Sequence, residues 1–203
     1  LKNCDIYNNT NNTLIWNADR NSFAKSAQII NTKIHHNNLG SALDGNAVFV
    51  YGPIDIINTL IYKNSFGHAV YYGSNPNYAM VKMNFVTIAN NIGNAVISSP
   101  NSGTNTAVIS NSIFTDNTGY NFKVQYVGGL GNIYDGLRIQ WRNNVIQGGY
   151  DNMTIINPDL VSPNPPYRTK AYVELTYLNN FEGRPIFVDS TNGDYRLAPS
   201  SLG

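Results

Sequence analysis

Charge is scarce in this chain: 12% of its 203 residues are Asp, Glu, Lys or Arg, and the formal net charge is +1. With no Lys/Arg cluster it offers no electrostatic footprint for nucleic acid, and no basic patch for an anionic membrane surface. Long apolar runs are missing too. The longest, Ala47-Val48-Phe49-Val50-Tyr51, is far short of a membrane span, so direct membrane insertion is not expected. A single cysteine, Cys4, excludes an intrachain disulfide and reads as a small, partly buried side chain rather than a reactive thiol. Helical periodicity is absent throughout. Leucine is too sparse for a leucine-rich repeat, and nothing corresponds to the helices of armadillo or ankyrin units.

What the chain has in abundance is asparagine, 33 residues or about a sixth of the total. Asn tolerates left-handed backbone and bonds its own backbone, so it favours tight turns. Together with Tyr and β-branched residues it predicts many short strands. The asparagines are also periodic. Leu1-Lys2-Asn3-Cys4-Asp5-Ile6-Tyr7-Asn8-Asn9 is followed by similar copies starting at Ile29, Ile56, Met83 and Ile109. Their closing asparagines, Asn9, Asn37, Asn64, Asn91 and Asn117, lie 28, 27, 27 and 26 residues apart. A fixed step of this size is the signature of a solenoid, in which no coil buries its apolar face alone. Leu1 falls inside the first copy, so the chain is expected to be part of a longer protein.

Within each copy the apolar residues alternate, which is the strand period. Ala27/Ile29, Ile54/Ile56, Val81/Met83 and Ala107/Ile109 should point inward and stack in rows, as should Ile6, Ile34, Ile61, Ile88 and Phe114. A third strand is expected at Ala47–Val50, Ala69–Tyr72, Ala95–Ser98 and Asn121–Val124. Glycines at 45, 67, 93 and 119 precede these strands, where a turn needs backbone freedom. Three short strands per coil predict an all-β parallel β-helix of about six coils, its strands about 4.8 Å apart along the axis. The five closing asparagines should form a structural ladder. The repeat fades after residue 125, with one further coil at Ile139–Ile146. Coils are therefore expected over residues 1–150. Residues 151–203, opening on a Pro-rich loop, are expected to be an irregular capping segment over the open end of the same domain.

The Asn-Thr-x-Ile-x-x-Asn coils resemble the repeats of right-handed parallel β-helix proteins, the pectin-lyase-like superfold. The tail Gly183-Arg184-Pro185-Ile186-Phe187-Val188-Asp189, then Gly193-Asp194-Tyr195-Arg196-Leu197-Ala198-Pro199-Ser200, is similar to the terminal segment of bacterial extracellular members. The resemblance implies a secreted or cell-surface bacterial protein. Relatives of this kind include pectinases, polysaccharide lyases, phage tailspikes and adhesins, and large surface proteins exported by the type IX route contain such modules. Fold alone does not choose among these activities.

A glycosidase needs two carboxylates clustered across a sugar bond. The acids of the coils, Asp5, Asp19, Asp44, Asp55 and Asp116, fall at different coil positions and none is doubled. A β-eliminating lyase needs a base and a charge neutraliser. His35, His36, Lys63, His68 and Lys82 are the available pieces. His35 and His36 read better as solvated turn side chains, and His68 as a turn side chain in the place of Asn46 and Asn94. No Asp-rich calcium loop is present, so neither a metal nor another cofactor is expected, and no catalytic residue is assigned. Tyr51, Tyr71, Tyr72 and Tyr78, on or beyond the third strand, are read either as rings that shield the strand surface or pack under loops, or as an outward strip able to hold sugar rings. The expectation is a non-catalytic module for adhesion, display or glycan binding, with a polysaccharide or another surface protein as partner. The alternative is a polysaccharide lyase or glycoside hydrolase.

Overall fold

The structure, a computed structural model, describes residues 1–10, 12–17, 26–40, 45–73, 80–99, 105–125, 137–156 and 173–201. Its chain folds into three six-stranded parallel sheets and one small hairpin. The first sheet runs β1 (Asp5–Tyr7), β4 (Lys33–His35), β7 (Leu60–Tyr62), β10 (Thr87–Ala89), β13 (Ile113–Thr115), β16 (Val145–Ile146). The second contains β2 (Thr13–Asn17), β5 (Asn46–Val50), β8 (Ser65–Gly73), β11 (Ile92–Ser99), β14 (Phe122–Gln125) and β17 (Met153–Ile156). The third contains β3 (Ala27–Ile30), β6 (Ile54–Ile57), β9 (Met80–Asn84), β12 (Asn105–Ser110), β15 (Leu137–Arg142) and β18 (Val173–Leu178). Each strand pairs with the strands three elements before and after it, the connectivity of a stack of three-stranded coils. This arrangement is consistent with a parallel β-helix. Helix among the described residues is limited to single 3-10 turns at Gly149–Asn152 and Ser190–Asn192.

The register follows the apolar rows. Ile6, Ile34, Ile61, Ile88 and Phe114 are successive Cα partners in the first sheet, and all but Ile6 are 0% exposed. In the third sheet Ile29, Ile56, Met83 and Ile109 align and are buried. Val48, Val70, Val96 and Phe122 do the same in the second. The three rows converge on one core cluster. Trp141 fills its far end, fully buried against Phe114 and Phe122.

Asparagine makes the corners. Between the third and first sheets the chain turns through a single left-handed residue: Asn3, Asn31, Asn58, Phe85, Asn111, Asn143 and Asn179, with φ from 45° to 56°. A second such corner, after the first sheet, uses Asn8, His36, Lys63, Asn90 and Asp116. Left-handed backbone is disfavoured for residues with a Cβ, least so for Asn, which accounts for eight of the asparagines. The expected turn glycines serve different ends. Gly93 has φ 133°, whereas a Cβ on Gly45 or Gly119 would strike neighbouring backbone or the Asn94 side chain at 2.3–2.6 Å. At those two positions the constraint is close approach of backbone, within one coil at Gly45 and between successive coils at Gly119, rather than backbone freedom.

Parallel pairing runs on past residue 150, through β17 and β18. The Pro-rich stretch 157–166 lies outside the described residues. The tail does not simply cover the end of the stack. Phe181 bridges to Val145 at the edge of the first sheet, and the antiparallel hairpin of β19 (Phe187–Asp189) and β20 (Asp194–Leu197) then lies along the outer face of that sheet. Tyr195 packs there on Tyr62 and Ala89. Asn90 Nδ2 donates to its hydroxyl at 2.9 Å, Lys63 Nζ donates to the Thr191 carbonyl, and Arg184 pairs with Asp116 at 3.0 Å. An apolar patch already present on the flank, Tyr62 and Ala89, gives the hairpin something to bury.

Candidate functional site

Four features carry side chains that could do something. The first is the asparagine ladder. Asn9, Asn37, Asn64 and Asn91 each donate from Nδ2 to the Oδ1 of the next member, ending at Asn117, at 2.9–3.0 Å. Each of Asn37, Asn64, Asn91 and Asn117 also donates to a carbonyl one coil back, from Ile6 to Ile88. One amide thereby ties three coils, a structural role.

The second is an aromatic column on the outer face of the second sheet. Trp16, Phe49 and Tyr71 are Cα partners on β2, β5 and β8. Trp16 meets Phe49 at 4.9 Å, tilted by 40°; Phe49 and Tyr71 stack at 4.8 Å and 4°. Tyr51 packs edge-on against Phe49, and His68 stacks on Tyr71 at 5.6 Å. Of the tyrosines expected to form an outward strip, Tyr51 and Tyr71 take part. Tyr72 does not: it is 0% exposed and belongs to the core cluster. Side chains alternate along a strand, so Tyr72 follows Val70 inward while Tyr71 faces out. Tyr78 lies outside the described residues. Trp16, 63% exposed, is the member the sequence reading lacked. Because Phe49 and Tyr71 cover each other's faces, the open ring face of the column belongs to Trp16.

The third is a proton-sharing chain. His35 Nε2 lies 2.8 Å from Asp5 Oδ1, and His35 Nδ1 lies 2.7 Å from His36 Nδ1. The His35 ring is sandwiched between Tyr7 at 5.3 Å and Tyr62 at 4.8 Å. With His35 Nε2–H donating to the Asp5 carboxylate, the neutral pair leaves His35 Nδ1 to accept from His36 Nδ1–H. Burial, the neighbouring His35 and Lys63 all hold His36 below the ordinary imidazole value. Of the two residues read as solvated turn side chains, His36 is exposed at a left-handed corner, whereas His35 lies on β4 and is brought to Asp5 by the 28-residue register that pairs Tyr7 with His35 and Asp5 with Lys33.

The fourth is a groove of about 470 Å³ between the Asn corner and the C-terminal hairpin, lined among others by Lys33, Asn58, Phe85, Thr87, Asn192 and Arg196. Phe85 stands at the left-handed corner position that Asn holds in the coils before and after it. Comparing the fourth copy with the others shows this substitution in the sequence itself.

The remaining candidates stay apart. Asp55 faces Lys82 on the next strand of the third sheet in register, and Asp116 is held by Arg184. Asp19 and Asp44 lie outside the described residues. Asp189 and Asp194 are Cα partners in the hairpin, but both are held below the usual carboxylate range, Asp189 by Asn192 and Asp194, at about 2, by the Arg196 guanidinium. A glycosidase acid needs the opposite shift. His68 is 5% exposed, and burial pushes it down to about 4. Among the described residues no group of three or more His, Cys, Asp or Glu could hold a metal ion. No known protein-family model matches this chain, and neither the curated proteins nor the solved structures include a significant match.

Proposed function

We propose that this chain is a non-catalytic right-handed parallel β-helix module, of the pectin-lyase-like kind, from a secreted or cell-surface bacterial protein, and that it binds glycan along one outer face. The observation that carries the reading is the column Trp16–Phe49–Tyr71, an outward file of rings whose terminal indole is 63% exposed. Sugar rings present apolar C–H faces that pack on such a ring. The test is a glycan array followed by titration with the best ligand. Trp16→Ala should weaken binding at least tenfold with the melting temperature unchanged within about 2 °C, since the indole is mostly in water. Binding indifferent to Trp16 removes the column from the reading.

A catalytic alternative, a polysaccharide lyase or glycoside hydrolase, draws support from the Asp5–His35–His36 chain, which places a base beside Lys63. Lys63 is already committed to the Thr191 carbonyl, which weakens it as a charge neutraliser. Release of unsaturated or reducing-end product from a polysaccharide panel, abolished by His36→Gln, would establish this alternative and displace the binding reading.

A further inference from the structure

The corner between the third and first sheets is an asparagine position. Asn3, Asn31, Asn58, Asn111, Asn143 and Asn179 hold it in left-handed backbone, and Asn58 donates to Asn31 across coils at 2.9 Å. Phe85 alone breaks the series, with φ 56° and a ring 58% exposed. A bulky residue is a genuine outlier in this region of backbone space, and its ring gains little from burial in return. An asparagine at 85 would suit the backbone better and would stand in line with Asn58 and Asn111. Strain retained without a packing gain points to use.

Phe85 lines the groove on the flank of the first sheet. The floor is the outward file Lys33–Leu60–Thr87 on successive strands, and the far wall is the turn of the C-terminal hairpin. Arg196 is forked onto Asp194 at 2.6–2.9 Å and contributes little free charge. Lys33 is exposed and stands beside Asp5 in register, but Asp5 is held by His35 at 2.8 Å, and Lys33 forms no ion pair among the described residues. Asn58 and Asn192 add amides on either side. An exposed ring, one free ammonium and facing amides are together complementary to a sugar with an anionic substituent. The ring takes the C–H face, the amides take hydroxyls, and Lys33 takes the charge.

We propose that this groove is a saccharide subsite for a sugar unit bearing a carboxylate or sulfate, with Phe85 as its stacking platform and Lys33 as its charge partner. The inference rests on the glycan-binding reading but uses a different surface from the Trp16 column. The test titrates three oligosaccharides of equal length, one uronic, one sulfated and one neutral, into the wild type, Phe85→Asn, Phe85→Tyr, Lys33→Gln and Trp16→Ala. Phe85→Asn is expected to raise the melting temperature by about 2–4 °C while weakening the anionic ligand at least tenfold. Phe85→Tyr should keep both the affinity and the wild-type melting temperature. Lys33→Gln should erase the preference for the anionic ligand over the neutral one, and which of the two anionic probes binds tighter identifies the charged group. Anionic binding unchanged within twofold in Phe85→Asn overturns the subsite, whatever Trp16→Ala does. Loss in Trp16→Ala alone then leaves the column reading standing. Absence of binding by all three probes overturns both.

Discussion

Asn64 is joined to the Asn91 side chain twice over. Asn91 Oδ1 accepts from Asn64 Nδ2 at 3.0 Å and from the Asn64 backbone N–H at 3.0 Å. Asn64 also donates to the carbonyls of Ile34 and Tyr62 and accepts from Asn37 Nδ2 and backbone N–H. At 2% exposure no water replaces these partners. The amide is therefore a structural cross-tie whose loss orphans groups on three coils.

Asn64→Ala should destabilise the fold by on the order of 3 kcal/mol or more, since each buried group left unpaired costs about 1–3 kcal/mol. Asn58→Gly, which keeps the left-handed corner but removes an exposed ladder amide, should cost no more than about 1 kcal/mol. Urea denaturation of the two variants checks the contrast. Equal losses would show that the buried ladder is no more important than the exposed one.

Ile61→Asp should abolish cooperative folding. Ile61 is 0% exposed, between Ile34 and Ile88 in register, and an unpaired buried carboxylate costs several kcal/mol against a typical total of about 5–15 kcal/mol. Gln28→Asp, on the exposed side of β3, should leave the far-UV circular dichroism and melting transition in place. A wild-type transition in Ile61→Asp would contradict the inward assignment.

Why these rows could be read in advance, and other features could not, follows from what sets each one. Ile34, Ile61 and Ile88 are fixed by two short periods, the alternation within a strand and the 27-residue step, and both are visible along the chain. The same alternation excludes Tyr72 from a strip containing Tyr71, because neighbours on one strand cannot share a face. Trp16 escaped because the first coil's third strand carries no glycine before it. The Asp5–His35–His36 chain depends on residues 30 apart meeting sideways across two strands, which needs the register rather than the motif. The hairpin's place on the flank is set by a patch, Tyr62 with Ala89, that shares one repeat position on successive strands, but its partner Tyr195 lies beyond the repeats.

His68 makes the stability sensitive to acid. Its folded value, about 4, is depressed chiefly by burial from the ordinary 6.5. The unfolded chain therefore takes up the proton first as pH falls. The stabilising contribution is present above about pH 6.5, is lost progressively down to about pH 4, and amounts to on the order of 3 kcal/mol. His68→Asn, which repeats the residue found at Asn46 and Asn94 in the adjoining coils, should flatten the stability profile between pH 7 and pH 4.5. The check is chemical denaturation of both proteins across that range; parallel curves would place the acid sensitivity elsewhere.

Tyr195 should hold the C-terminal hairpin to the flank without holding the sheets together. Its ring lies 4.9 Å from Tyr62 and 5.0 Å from Phe187, and its hydroxyl accepts from Asn90. Truncation to Ala removes a buried aromatic anchor, a change that costs about 3–5 kcal/mol in well-packed sites. The parallel strands, each paired independently of the hairpin, keep their own hydrogen bonds. Hydrogen exchange should therefore accelerate in residues 184–197 of Tyr195→Ala and stay slow in β7, β8 and β10, the behaviour of a separate local unit. Tyr195→Phe, which keeps the ring and drops the bond to Asn90, should show a smaller change, about 1 kcal/mol. If exchange in β7 and β10 rises as much as in the hairpin, the tail is part of the cooperative core and the groove beside Phe85 has no independent wall to open or close.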